Sequence, residues 1–300
     1  MTRDAHLLPD SLVSVGWLRD HINHPGLAVV DIRGYVNTED HGGGRQTSTY
    51  TDARSEYESA HIPGSVYIDW TRDIVDPEAS VKVQIAPPLV FADRMGMLGI
   101  GDESAVVAVD HSGGHFATRL WWALRYYGHD QVAVLDGGMA AWTSAGMPID
   151  AALVQPAPRI FTPRPRPELR STAEDIVAQI AMGERQILDA RDAGQFSGTV
   201  QRGSRGGHIP TARHLPAKAM FTDDGTWKSA EQIRVLAEEA GVTPERPVIA
   251  YCNGGVTATA VLFGLHRAGV SDGSNYDGSW NEWGERSDLP VEGNQDLWST

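Results

Sequence analysis

The second half of this chain repeats the first. An apolar run ending in Asp-x-Arg occurs as AVVDIR (Ala28–Arg33) and again as QILDAR (Gln186–Arg191). AHIPGSVYID (Ala60–Asp69) returns as GHIPTARHLP (Gly207–Pro216), and DGGMAAW (Asp136–Trp142) as DGSWNEW (Asp277–Trp283). SAVVAVDHSGGHFATRLWWALRYYG (Ser104–Gly128) aligns with RPVIAYCNGGVTATAVLFGLHRAG (Arg246–Gly269). The offsets agree: 147 residues separate His61 from His208, 142 separate Asp110 from Cys252, and 141 separate Trp142 from Trp283. Four ordered matches at near-constant spacing mark a duplication. The 300 residues also exceed what one core usually reaches.

Each half alternates short β-branched runs with helical stretches, AVVAVD before ATRLWWALRYYG and PVIAYC before TATAVLFGLHRAG. Continuous apolar strands alternating with helices imply an α/β fold, each half a mostly parallel sheet flanked by helices. Residues 151–170 carry Pro156, Pro158, Pro163, Pro165 and Pro167. That density blocks helix and central strand, and it reads as an extended, semi-stiff linker between domains at 1–150 and 171–300. Asn37–Asp52 has no counterpart of similar length in the second half and reads as an exposed insertion loop.

The alignment exposes one chemical difference. The first half ends its strand in Asp110, and the second ends the equivalent strand in Cys252, the only cysteine. After it come Asn253, Gly254, Gly255, Val256 and Thr257, then a helix. A strand, a glycine-containing loop and a helix start make a cradle of backbone N–H groups suited to negative charge. A cysteine in such a cradle is expected to be available as a thiolate nucleophile near neutral pH. The rival reading is a small, inert buried thiol, but the two glycines free the backbone to curl around the sulfur. Cys-x5-Arg phosphatase chemistry needs an arginine where Ala258 stands. A single extra sulfur atom, held as a persulfide, suits so tight a loop. With no second cysteine to resolve it, that sulfur must leave to an external acceptor.

Composition removes other classes. A formal charge of −14 argues against nucleic-acid or anionic-membrane surfaces. No apolar run approaches a bilayer span, and the start MTRDAHLLPDSLVSVGW lacks a signal-peptide core. The expectation is a soluble, cytoplasmic protein. One cysteine excludes a disulfide framework and multi-cysteine metal sites. His111 and His115 share i,i+4 spacing but flank Ser112-Gly113-Gly114, so no metal is expected, nor any cofactor. Gly42-Gly43-Gly44 neither follows a strand nor opens a helix, so it is no nucleotide loop. Asp31–Arg33 and Asp189–Arg191 occur in both halves and read as structural ion pairs. His61 and His208 read as bonded to local backbone. Trp121, Trp122, Trp142, Trp280 and Trp283 read as core.

Taken together, DIR and DAR, the two HIP elements, RLWWALRYYGHDQVAVLDGG, CNGGVTA and YDGSWNEW resemble the two-domain rhodanese family, the thiosulfate and 3-mercaptopyruvate sulfurtransferases. The resemblance covers nearly the whole chain. It implies tandem rhodanese-like domains, the first catalytically silent with Asp110 where the second has its nucleophile. It also implies ping-pong sulfur transfer: Cys252 takes sulfane sulfur from a small donor and passes it to cyanide, a thiol or a reduced thioredoxin-like acceptor.

Thiosulfate-preferring members resemble Cys-Arg-Lys-Gly-Val-Thr in the loop, and mercaptopyruvate-preferring members Cys-Gly-Ser-Gly-Val-Thr. Asn253 and Gly254 make this loop neutral, like the second group. The family's substrate arginine in Gly-Arg-Phe is Gln195 here. A second family arginine, before the HIP element, is matched by Arg202, with Arg205 the rival. An acidic partner of the nucleophile falls on Thr71, with Asp69 and Asp73 nearby. The resemblance therefore points to Cys252 as nucleophile and 253–257 as anion cradle. Gln195 and Arg202 would orient the donor, with 3-mercaptopyruvate or another small donor favoured over thiosulfate. The alternative is a relay module that hands persulfide to one protein partner without turning over small donors.

Overall fold

The computed structural model describes residues 7–270 and 273–293; residues 1–6 and 294–300, at the outer ends of the two expected domains, lie outside it. The first half forms β1 (Leu12–Val13), β2 (Leu27–Asp31), β3 (Gly34–Asp40), β4 (Arg45–Asp52), β5 (Val66–Tyr67), β6 (Ala105–Val109) and β7 (Val132–Leu135). Its helices are α1 (Val15–His21), α2 (Arg54–Ser59), α3 (Pro88–Met97), α4 (Ala117–Tyr126) and α5 (Gly138–Ser144). The second half forms β8 (Arg170–Ser171), β9 (Gln186–Asp189), β10 (Gln201–Arg202), β11 (Arg213–His214), β12 (Val248–Tyr251) and β13 (Gly273–Tyr276). Its helices are α6 (Ala173–Met182), α7 (Ala193–Ser197), α8 (Ala230–Glu239), α9 (Ala258–Arg267) and α10 (Ser279–Trp283).

The duplication is visible in the sheets. The first runs β1-β7-β6-β2-β5 and the second, read in the same sense, β8-β13-β12-β9-β11; every pairing in both is parallel. All five residues of β6 and all four of β12 are buried, which is why both read as unbroken apolar runs. Local signals set the helix ends. Thr172 and Asp175 form a capping box on α6, Ser229 and Gln232 one on α8, and Gly183 closes α6 in the left-handed region.

The repeated motifs form one repeated device. Asp31 pairs with Arg33 at 2.9 Å and Asp189 with Arg191 at 2.6 Å. Each arginine then donates to the carbonyl just before the His-Ile-Pro element, Ala60 O or Gly207 O, both at 2.7 Å. His61 and His208 bond the carbonyls of Tyr57 and Phe196 through Nδ1. Their backbones bridge to Asp150 and Glu292, so each half closes at a corresponding place. The five tryptophans Trp121, Trp122, Trp142, Trp280 and Trp283 are buried.

Thr211 stands at φ +67 where the first half has Gly64 at φ +77. A β-branched residue is strained there. Thr211→Gly is expected to stabilise the protein by about 0.5–1 kcal/mol, raising Tm by a few degrees in a thermal melt.

Helices α4 and α9 pack against each other across the domain interface, Thr118 Oγ1 lying 3.0 Å from Thr259 Oγ1 and the rings of Trp121 and Phe263 5.0 Å apart. Residues Ala117–Leu124 and Ala258–Leu265 are buried throughout, so both helices are covered on every side along these stretches. One hydrophobic cluster accordingly runs through both halves.

Residues 151–166 hold neither helix nor strand and are strapped along the first domain. Arg159, Arg164 and Arg166, each beside a proline, donate their amides to Gly96, Tyr127 and Tyr126. Arg170, assigned above to the linker, already pairs in the second sheet as part of β8.

Asn37–Asp52 is not a loop. It is most of a hairpin, β3 against β4, turning at Gly42, Gly43 and Gly44, all with positive φ. Its polar, threonine-rich strands carry no apolar run, and loop and strand look alike without one. β4 also pairs in parallel with β10, Arg45 to Gln201 and Gln46 to Arg202, stitching the first domain to the second. Val36, Thr38, Ser48 and Tyr50 share the hairpin face that turns towards Cys252, since β3 and β4 are paired with Val36 opposite Tyr50 and Thr38 opposite Ser48.

Candidate active site

Cys252 follows the last residue of β12 and is 3% exposed. Its own amide donates to the Ser279 hydroxyl at 3.1 Å, and that hydroxyl donates to Tyr276 O at 2.7 Å. Trp280 N and Asn281 N donate to the carbonyls of Cys252 and Asn253 at 3.0 and 2.8 Å. The Asp-Gly-Ser-Trp motif therefore grips the loop from behind, with Ser279 held at φ +51 to do so.

The first half shows what such a loop binds. Asp110 Oδ2 accepts the amides of Phe116 at 2.7 Å and Ala117 at 3.0 Å, and Oδ1 that of Ser112 at 3.0 Å. That loop already holds an anion, its own carboxylate. In the second half the amides of residues 253–258 donate to no acceptor among the described residues, the Cys252 sulfur included. The equivalent loop of the second half thus follows a thiol with its amide donors unspent among the described residues.

Cys252 opens into a cavity of about 300 Å3 walled by both domains. Val36, Thr38, Tyr50, Trp70 and His115 come from the first; Gln195, Arg202, Lys218, Asn253, Gly254, Val256 and Thr257 come from the second. Gln195 is buried, and its Oε1 accepts from Asn253 Nδ2 at 2.9 Å, leaving an amide pair beside the thiol. Arg202 is held by Gln46 Oε1 at 3.1 Å and Thr38 Oγ1 at 3.0 Å, both on the hairpin. Burial pulls its pKa below the ordinary arginine value. Arg205 lies elsewhere, its guanidinium spent on the carbonyls of Gly284, Leu289, Trp283 and Arg286.

Thr71 is not brought to the thiol. Its hydroxyl donates to Asp69 at 2.6 Å, and Asp73 pairs with Arg94; of this segment only Trp70 lines the cavity. His115 does line it, and burial keeps its pKa below the usual histidine range, favouring the neutral ring. Its neighbour His111 packs against Tyr35 and Phe116. Among the described residues no three His, Cys, Asp or Glu side chains gather as a metal set.

The sequence reading missed Tyr50, which accepts from Asn281 Nδ2 at 3.1 Å, and Lys218. The Lys218 ammonium, on the turn after β11, makes no hydrogen bond or ion pair among the described residues. No local motif marks it; the fold delivers it.

Comparison with known proteins agrees with this geometry. The rhodanese-like domain family matches residues 14–145 and 172–286. Thiosulfate sulfurtransferase of Gallus gallus is 33% identical over 290 residues, 94% of this chain and 96% of that protein. The 3-mercaptopyruvate sulfurtransferase of Homo sapiens is 37% identical over 238 residues, 77% of this chain and 80% of that protein. The crystal structure of SseA from Escherichia coli, a 3-mercaptopyruvate sulfotransferase with the rhodanese fold, superposes with a TM-score of 0.79. It is 28% identical, over 90% of this chain and 98% of that one. No helix among the described residues is long and apolar enough to cross a membrane. The chain belongs to the two-domain rhodanese family of sulfurtransferases.

Proposed function

We propose that Cys252 carries sulfane sulfur between a small anionic donor and an external nucleophile. In the first half-reaction the thiolate attacks the donor's outer sulfur. A new S–S bond forms, the donor's bond to that sulfur breaks, and its electron pair leaves with sulfite or with the enolate of a 2-oxo acid, which takes up a proton. In the second, cyanide, a thiol or a reduced thioredoxin-like protein attacks the outer sulfur and returns Cys252 as thiolate. The amides of 253–258 would hold the persulfide through both steps. The observation that carries this reading is the contrast between the two loops, one closed on Asp110 and the other following Cys252 with amides that meet no acceptor among the described residues.

Donor binding falls to Arg202 and Lys218, the two cavity cations in no salt bridge among the described residues, Arg202 being attracted by the Asp192 carboxylate on the same wall, while the Gln195–Asn253 amide pair adds no charge beside the thiol. A charge distributed to the walls favours a donor whose anionic group lies away from the transferred sulfur, so 3-mercaptopyruvate is the preferred donor over thiosulfate. A thiol that must return reduced also suits a reducing, cytoplasmic compartment.

In steady-state assays with both donors side by side, 3-mercaptopyruvate is expected to show the higher kcat/KM. Arg202→Ala is expected to raise its KM about tenfold, the effect of roughly one lost charge-assisted contact. Lys218→Ala, more exposed, is expected to raise it about two- to fivefold. An unchanged KM in both variants refutes this assignment of the donor site. Negligible turnover with every small donor, together with sulfur delivery in a stable protein complex, would favour the relay reading that Gln195 keeps open.

A further inference from the structure

We infer that the first domain, though it has no thiol, is a working part of the sulfur-carrying site: Arg119 positions the Gly255–Val256 peptide so that its N–H faces Cys252. This rests on the function proposed above. Arg119 lies on α4, with its side chain 2% exposed. Its Nη1 donates to Gly255 O at 3.1 Å and to Asp277 Oδ1 at 2.6 Å, and its Nη2 donates to Val83 O at 2.9 Å. Asn275 Nδ2 donates to the same Gly255 carbonyl at 2.9 Å.

A trans peptide points its C=O and N–H in opposite directions. Two donors that fix the Gly255 carbonyl towards α4 and β13 therefore turn the Val256 N–H the other way, to the cavity that Val256 shares with Cys252. A guanidinium on the carbonyl oxygen also polarises that peptide, strengthening its N–H as a donor to an anion.

The first domain supports the loop a second time. Val83, a β-branched residue, sits at φ +60. A Cβ added at Gly254 would lie 2.7 Å from its Cγ2, so Val83 abuts the loop itself. Arg119 holds its carbonyl, and Ile85, two residues further on, donates its amide to Asp277 Oδ2 at 2.8 Å. Such a strained backbone persists only where its surroundings over-determine it, and here the surroundings are the Arg119–Asp277 pair. Arg119 is a positioning residue: it acts on the thiol through the peptide it holds.

The test is the rate of Cys252 alkylation by iodoacetamide as a function of pH, measured on the full chain. Arg119→Met combined with Asp277→Asn removes both charges of the buried pair, and Arg170, whose Nη2 lies 3.4 Å from Asp277 Oδ2, loses its carboxylate partner with them. Asn275→Ala removes the other donor and keeps the ion pair, and it decides the matter if the double variant does not fold. Tyr50, His115, Arg191, Asp192, Arg202 and Lys218, the other titratable or charged groups lining the cavity, are untouched in both. The alkylation midpoint is expected to rise by about one pH unit in the double variant, a roughly fivefold slower reaction at the wild-type midpoint. A smaller rise is expected in Asn275→Ala. Arg119→Lys, which keeps the charge, should fall between the wild type and the double variant. Folded variants whose midpoint matches an acidic wild type overturn this inference alone. A wild-type thiol that reacts only well on the alkaline side overturns the proposed function instead.

Discussion

Cys252→Ser abolishes cyanide-releasable sulfur. The expected fall in kcat is at least about 10⁴-fold, because the whole covalent route disappears with the thiol and no second cysteine exists to replace it. A serine hydroxyl stays protonated at neutral pH and cannot carry sulfane sulfur, although it fits the same space. The variant should fold and melt close to the wild type, since Cys252 contributes one small side chain to a cluster that spans both domains. Rhodanese assays with each donor, beside a thermal melt, separate the two effects. Turnover that persisted in a folded Cys252→Ser protein would place the chemistry elsewhere.

Gly255→Ala should be nearly as damaging, for a steric reason. Gly255 sits at φ +69, and a Cβ there would lie 2.7 Å from Asp277 O and 3.1 Å from its Cα, both backbone atoms that cannot swing aside. The left-handed conformation costs alanine about 1 kcal/mol, and the overlap adds roughly 1–3 kcal/mol. The loop must shift, and its donors shift with it. An error of about 1 Å in a reacting site costs on the order of 10²-fold in rate. Gly255→Ala is therefore expected to lower kcat/KM by about 100-fold or more and to lower Tm by several degrees. Wild-type activity in this variant would show that the curl of the loop is not what serves the sulfur.

The parts of this protein that could be read in advance are those written locally. The duplication, the buried strands and the Asp-x-Arg pairs are carried by residues close in sequence, and both sheets repeat one strand order. Cys252 stood out because its counterpart is Asp110, and the two loops differ in the structure as the two residues do in charge. The hairpin reads as a loop in the sequence, because only Tyr50 interrupts the polar run Arg45–Asp52 and GYVNTED shows no period-two alternation. The threonines concealed it, since strand patterns are recognised by one apolar face and this hairpin presents a mostly polar one.

The remaining site residues depend on contacts between distant segments. Tyr50 meets Asn281, and Arg119 meets Gly255, through domain packing alone. Arg119 lies among buried residues of a helix whose tryptophans read as core, and no local motif marks its reach to Gly255. Thr71, where family spacing places the acidic partner, bonds Asp69 and stays out of the cavity.

The most direct measurement is the intact mass of the protein after incubation with 3-mercaptopyruvate or thiosulfate in the absence of any acceptor. The account predicts a gain of one sulfur atom per chain, mapped to the peptide containing Cys252 and removed by cyanide as thiocyanate. A protein that turns over donor yet shows no added sulfur on that peptide, or one that still gains cyanide-labile sulfur as Cys252→Ser, would contradict it.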